Sequence, residues 1–366
     1  MVGMRIHFVN ENIGGHATMH AHIRSALAAD PDVTATFFDV PPRGGVERAV
    51  GARIPGLGRL DLDFQTTRAQ LARSAIARRH LSALDVKPDA LHLYTHNVAL
   101  LSSGHMRRTP SVVSLDATNR QNAYRIPGRS PTRFTPVSLA SVVPFERRVY
   151  ESARRVVVHS NWAADSVLSY GVDAGKVEVI PFGITVPPVI PRERDGDGPR
   201  IVFVGTSMAR KGGWRLVELW QRALAESSRL TLVTMERVEP RPGLEVVNDV
   251  RPGDGRIETV LAGSDIFAFP GEIDSFGYAI LEAMAASLPV VAPGQAAVPE
   301  LVDDGVTGLV VPPGDDDALG AALERLVADR GMREEMGAAG RRRALARFDA
   351  QTTTDALVEI LRDVAA

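Results

Sequence analysis

Cysteine is missing from all 366 residues, which removes disulfide bridges, thiolate nucleophiles and thiolate metal ligands from consideration. No uninterrupted apolar run reaches the ~18 residues that a membrane-spanning helix needs. The opening Met1-Val-Gly-Met-Arg-Ile-His-Phe-Val-Asn10 lacks the long apolar core of a secretory leader. A soluble, cytoplasmic protein is therefore expected. Basic charge is not in excess either: 42 Lys+Arg stand against 44 Asp+Glu, a formal net charge of −2, which argues against a general nucleic-acid binder. Short repeats and low-complexity tracts are absent. Lysine is nearly so, occurring only at Lys87, Lys176 and Lys211, a bias that fits GC-rich coding. Arginines in such a chain are poor markers of function, whereas each lysine is informative.

A length of 366 residues is more than twice the ~100–150 of a typical domain, so two domains are expected. Short β-branched runs alternate with helical patterns, the signature of parallel sheets covered by helices. Strands are expected at Arg5–Val9, Thr34–Asp39, Ala90–Tyr94, Ser111–Leu115, Val156–His159 and Val177–Pro181. The Pro- and Gly-rich stretch 187–199 cannot join a sheet and reads as a linker. The pattern then restarts at Arg200–Val204, Arg229–Thr234, Glu245–Val247, Ile266–Pro270, Pro289–Ala292 and Gly308–Val311, with helices at Trp214–Ser227, Gly277–Ala286 and Asp317–Asp329. The expected fold is α/β: two Rossmann-like, doubly wound domains facing across a cleft, 1–186 and 200–346, with ligands beyond the carboxyl ends of the strands.

The chemistry concentrates in Asp265-Ile-Phe-Ala-Phe-Pro-Gly-Glu-Ile-Asp-Ser-Phe-Gly-Tyr-Ala-Ile-Leu-Glu-Ala-Met-Ala285. An apolar strand ends at Pro270, a loop carries Glu272 and Asp274, and a helix starts near Gly277. The N–H groups of Phe276, Gly277 and Tyr278 would then face outward from the helix start, where hydrogen bonding and the helix dipole both attract phosphate. Gly277 permits close approach of a bulky anion. Glu282 lies about one and a half turns into the helix, within reach of ribose hydroxyls, and Asp274 precedes the helix, near a sugar. The plainer reading makes Asp274 only a helix cap.

This segment resembles the signature of glycosyltransferase family 4, in which two acidic residues flank seven others. Asp274 and Glu282 have that separation, and Ser275-Phe-Gly-Tyr-Ala-Ile-Leu281 resembles the family's Gly-Phe-Gly-Leu-x-x-Leu, with Asp274 standing where Glu is usual. Val204-Gly-Thr-Ser-Met-Ala-Arg-Lys-Gly-Gly213 resembles the first strand and turn of the family's donor domain. Lys211 falls on its diphosphate-binding lysine, Gly205 on its glycine, and Thr206 on its usual arginine, whose charge Arg210 would supply. His159-Ser-Asn-Trp-Ala-Ala-Asp-Ser-Val-Leu168 with Val177–Gly183, and Gly294–Glu300 with Asp304–Gly314, resemble further family text, Phe182 replacing a frequent Asn. The resemblance implies a GT-B enzyme in which Lys211, Arg210 and Asp274 carry catalysis. Gly205, Thr206, Ser275, Phe276, Gly277, Tyr278 and Glu282 would bind the donor, and the helix 347–366 would return to the first domain.

In the first domain Asn10-Glu-Asn-Ile-Gly-Gly-His16 places two glycines between a strand and a helix, a turn that admits phosphate or acceptor. By resemblance Gly14 and Gly15 face the donor diphosphate. His16 is an acceptor-side candidate, as are Asp116, standing where the family often has histidine, and His96 at a strand end, whose plainer role is a buried hydrogen-bonding histidine. His16 and His20 share a helix face, yet no ligand set completes a metal site around them. Asp61-Leu-Asp63 has the D-x-D form of manganese-binding transferases, but sits in an Arg-rich stretch with no strand end. The resemblance implies no cofactor and no metal. It implies transfer with retention from a nucleotide diphosphate sugar, UDP before GDP, to a small-molecule, lipid or glycan acceptor. A catalytically weakened nucleotide-sugar binder is the alternative, motivated by Thr206, Asp116 and Asp274. The arginines from Arg68 to Arg79 admit a membrane surface as partner, although dispersed arginines more often solvate a helix face.

Overall fold

The computed structural model of the chain describes residues 3–11, 16–28, 30–42, 44–123, 131–188, 198–248, 250, 255–271 and 274–366. The expected Gly14 and Gly15, Glu272 and most of the 187–199 stretch lie outside them. The chain divides into two compact units, Met1–Pro181 with Gln351–Ala366, and Phe182–Ala350.

The first unit is built on strands β1 (Met4–Asn10), β2 (Val33–Asp39), β3 (Ala90–Tyr94), β4 (Ser111–Leu115), β5 (Arg155–Val158) and β6 (Val177–Val179). They form one sheet in the order β2-β1-β3-β4-β5-β6, with every pairing parallel. Parallel neighbours need a crossover, and the helices that supply it cover the faces, so the central strands are buried on both sides. Every residue of β3 and β4 is accordingly buried, and Leu91, Leu93, Val113, Leu115, Val156 and Val158 share one core.

The second unit repeats the plan with β7 (Arg200–Val204), β8 (Arg229–Val233), β9 (Leu244–Val247), β10 (Ile266–Ala268), β11 (Val290–Pro293) and β12 (Gly308–Val311), in the order β12-β11-β10-β7-β8-β9, again all parallel. Its core joins Phe203, Leu232, Ile266 and Val291 to Trp220 and Leu323 of the covering helices. Each expected strand is present, with ends differing by at most two residues.

The units divide at Pro181/Phe182, five residues before the expected end of the first domain. The reason is local packing. The Phe182 ring meets Phe276 edge-on at 4.7 Å, and Ile184 N–H donates to the Phe348 carbonyl at 2.7 Å. The helix Ala350–Ala365 belongs to the first unit, burying Leu357, Val358, Leu361 and Val364 and pairing Arg362 with Asp30 at 2.8 Å and Asp363 with Arg155 at 3.1 Å. Among the described residues no helix is long and apolar enough to cross a membrane.

In each sheet the strand order reverses once, between β1 and β3 and between β7 and β10. Loops leaving the carboxyl ends of such neighbours diverge and open a crevice.

Candidate active site

The reversal point of the second sheet brings together the two segments that the sequence singles out. After β7 the chain turns through Gly205, a position where a Cβ would lie 2.6 Å from the Phe203 ring and 3.0 Å from Lys211 Cβ. The exposed Thr206 and the half-buried Arg210 and Lys211 follow. The turn closes through Lys211 N–H to the Ser207 carbonyl, 3.0 Å, and Gly213 N–H to that of Met208, 2.7 Å. Gly212 has φ +72°, and a Cβ there would meet the Pro270 backbone at 2.9 Å. From the other loop, a Cβ on Gly271 would meet the Lys211 backbone at 2.9 Å. The loops after β7 and β10 thus pack main chain against main chain, through a pair of glycines.

That contact sets Lys211 Nζ against Asp274 Oδ2 in an ion pair, while Asp274 Oδ1 accepts the Gly277 N–H at 3.2 Å. The helix Tyr278–Ala285 begins beyond Gly277, whose φ of +91° is the left-handed region that favours glycine. Of the three amides expected to face phosphate, the one on Gly277 is therefore given to Asp274. Lys211 Nζ also lies 5.5 Å from the centroid of Phe269, a ring the sequence reading overlooked. Ser275 is half-buried and Phe276 buried. Tyr278 hydroxyl donates to the Gly183 carbonyl at 3.2 Å, and burial with the nearby Glu282 and Glu258 charges pushes its ionisation up. Gln295 Nε2 donates to the Gly271 carbonyl at 3.2 Å.

Burial, with repulsion from Glu258, raises the Glu282 carboxyl from 4.5 to about 8. At neutral pH it is a neutral acid, able to donate as well as accept. Glu258 belongs to no motif, and Gln295, though inside the Gly294–Glu300 stretch, carries no side-chain chemistry that singles it out there.

The reversal point of the first sheet collects polar groups of a different kind. Glu11, just past β1, is buried against Arg73 at 3.1 Å and accepts from Thr95 hydroxyl at 2.6 Å and Asn97 amide at 3.2 Å. His16 opens the helix His16–Ala28, with Nε2 3.5 Å from Asp116 Oδ2 and its ring edge-on to Tyr94 at 4.8 Å. Burial opposes the charged imidazolium, but Asp116 and then Glu11 outweigh it and raise the His16 pKa. The surrounding histidines behave oppositely. Burial first, and neighbouring histidines second, lower His20 to about 2 and His92 to about 3; His159, whose Nδ1 lies 2.8 Å from the Ile180 carbonyl, falls to about 4. The structure thus joins two acceptor-side candidates, His16 and Asp116, at strand ends around Tyr94.

His96 stands apart from them. It is buried and paired with Glu146 at 3.0 Å, in a network that takes in Asn119, Tyr150 and Tyr170. This is the plainer of its two sequence roles. Asp61 and Asp63 are structural as well: Asp61 accepts from the Thr135 hydroxyl, and Asp63 from the Ile54 amide at 3.2 Å. The Arg68–Arg79 stripe is not a uniform solvated face, because Arg68 donates to the carbonyls of Val50, Ala52 and Asp63 and Arg73 is buried on Glu11.

Comparison with known proteins agrees with this division. Residues 13–186 match the family model described as Glycosyltransferase Family 4, and residues 198–329 the one described as Glycosyl transferases group 1. The alpha-maltose-1-phosphate synthase of Mycolicibacterium smegmatis is 28% identical over 256 residues, covering 60% of this chain and 66% of that protein. The D-inositol 3-phosphate glycosyltransferase of Actinosynnema mirum is 30% identical over 246 residues, 58% of either chain. The chain spans no more than about two-thirds of the length of these curated relatives, and less than a third of another. Among solved structures, sucrose-phosphate synthase from Thermosynechococcus elongatus superposes with a TM-score of 0.73 at 19% identity, over 99% of both chains. Anabaena HepE in complex with UDP and glucose gives 0.69 at 16% identity, over 98% of this chain and 100% of that one. At those identities the likeness shows a shared fold.

Proposed function

The chain belongs to glycosyltransferase family 4, with the GT-B fold, and from that premise we propose that it transfers a sugar from a nucleoside diphosphate to an acceptor. The observation that carries the reading is the meeting of Lys211, Asp274 and a glycine-started helix at the reversal point of the second sheet. As the bond from sugar C1 to the diphosphate oxygen breaks, negative charge grows on the leaving group. Lys211 and Arg210, together with the dipole of the helix start, oppose that charge once the donor has taken the place of Asp274 on Lys211. Donor binding exchanges Asp274 for a phosphate oxygen on Lys211 and frees the Asp274 carboxylate for hydroxyls of the donor sugar. Glu282 holds the ribose. Uridine is the preferred base and guanosine the second, a choice supported by the UDP bound in Anabaena HepE. The acceptor, a small molecule, lipid or glycan, belongs to the first unit, near His16 and Asp116. Transfer proceeds with retention, and the cationic and amide groups take the place of a metal on the diphosphate.

A thermal-shift series with UDP, GDP and their sugar conjugates, each with and without EDTA, tests this. Ligand at 100 times its Kd adds about 2.7 kcal/mol of stability. UDP and a UDP-sugar are expected to raise Tm equally well with the chelator present, and purified protein to hydrolyse the donor slowly. No shift with any nucleotide would overturn the reading. Binding that needs added manganese would overturn its metal-free part, and binding without hydrolysis or transfer would favour the weakened binder.

A further inference from the structure

We propose that one face of the first unit is a docking surface for an anionic lipid bilayer. Large exposed apolar side chains are scattered over most of the described chain, but five of them, Val50, Ile54, Leu57, Leu60 and Val137, come from two neighbouring segments. Ile54, Leu57 and Leu60 are 41%, 45% and 45% exposed; Leu57 and Leu60 open and close the 3-10 turn Leu57–Leu60, where side chains three apart eclipse on one side, and Ile54 lies just before it. Thr132 hydroxyl donates to the Leu60 carbonyl at 3.0 Å, and Thr135 hydroxyl to the Asp61 carboxylate, which lays the start of the helix Thr135–Ser152 and its Val137 alongside.

These side chains are held outward by the backbone beneath them. Arg68 donates to the carbonyls of Val50, Ala52 and Asp63, and Asp63 accepts the Ile54 amide at 3.2 Å. An exposed apolar patch on a rigid support marks an interaction site.

Charge selects the occupant. Segments 48–60 and 131–145 contain four arginines, Arg48, Arg53, Arg59 and Arg133, all exposed, and no acidic residue, in a chain whose net charge is −2. The flanking acids are turned away: Glu47 accepts the Gly44 amide at 2.8 Å, while Asp61 and Asp63 are buried. Apolar side chains ringed by arginine, with no carboxylate facing out, suit a surface that offers anionic headgroups above a hydrocarbon layer.

The test is sedimentation of the full chain with vesicles of phosphatidylcholine alone and of phosphatidylcholine mixed with phosphatidylglycerol, at low and high salt. Binding to the mixed vesicles only, weakened by salt, is expected. Each arginine near such a surface is worth roughly a factor of five, so Arg53→Gln/Arg59→Gln should lower partitioning on the order of 30-fold. Leu57→Ser/Leu60→Ser should lower it as well, with Tm unchanged. If the leucine variant melts early, the arginine variant, which removes no core contact, decides the matter. The proposal is overturned by equal partitioning into both vesicle types, by none into either, or by partitioning that both variants retain. It is equally overturned if the wild type self-associates in sedimentation velocity and these variants do not, since the patch would then join two copies of the chain.

Discussion

Asp274 serves two partners in the chain by itself, the Lys211 ammonium and the Gly277 amide, so its replacement separates a capping role from a sugar-binding one. Asp274→Asn keeps an acceptor for the amide but removes the charge that competes with diphosphate for Lys211. Calorimetry should show UDP bound at least as tightly as by the wild type, and a UDP-sugar losing about 1.5–3 kcal/mol, the worth of a charge-assisted hydrogen bond. A variant equal to wild type with both ligands would leave the residue as a cap alone. Lys211→Ala removes a cation needed most in the transition state, so turnover should fall about 100-fold or more while UDP affinity falls less. Glu282 adds a pH dependence. Its folded pKa is raised from 4.5 to about 8, so its contribution to stability is fully present below about 4.5 and is lost as pH rises through about 8. Nucleotide brings further negative charge and burial, so wild-type affinity should decline above pH 8. Glu282→Gln, which mimics the neutral acid, should hold a flat profile; a wild-type profile equally flat would contradict the assignment.

At the scale of elements, the site depends on two loops that touch through glycine. Gly212→Ala forces a side chain into the left-handed region, at about 1–2 kcal/mol, and drives its Cβ onto the Pro270 backbone. Lower Tm together with lower turnover is expected; unchanged turnover would show that the spacing of Lys211 and Asp274 tolerates the shift. Much of this level was legible beforehand. The strands announced themselves because buried parallel strands are short apolar runs, and Lys211 stood out in a chain with three lysines. Other elements were hidden. The helix Thr135–Ser152 contains Pro144, a residue read as a breaker. The helix Arg330–Arg347 is rich in arginine and glycine, yet Gly337 is required: a Cβ there would lie 2.2 Å from the Ser287 carbonyl oxygen. The Lys211–Asp274 pair was invisible as well, since its partners are 63 residues apart and meet only when the sheet order places β10 beside β7.

Across the whole molecule, the first unit is discontinuous in sequence, closed by residues 351–366. Ending the chain at Ala350 uncovers the seat of Leu357, Val358, Leu361 and Val364, each worth about 1.5–3 kcal/mol when buried. That sum is comparable to the entire ~5–15 kcal/mol stability of a domain. Hydrogen exchange should therefore show amides of β1 to β6 losing protection in the truncated chain while those of β7 to β12 keep theirs; uniform loss would mean that the units do not fold separately. The same arrangement inverts the usual order of events on the ribosome, where the segment made first ordinarily folds first. Here the second unit is entirely translated while the first still lacks its last helix, so the nascent 1–181 segment is expected to stay open to chaperones and proteases until the final turns of Ala350–Ala365 leave the exit tunnel.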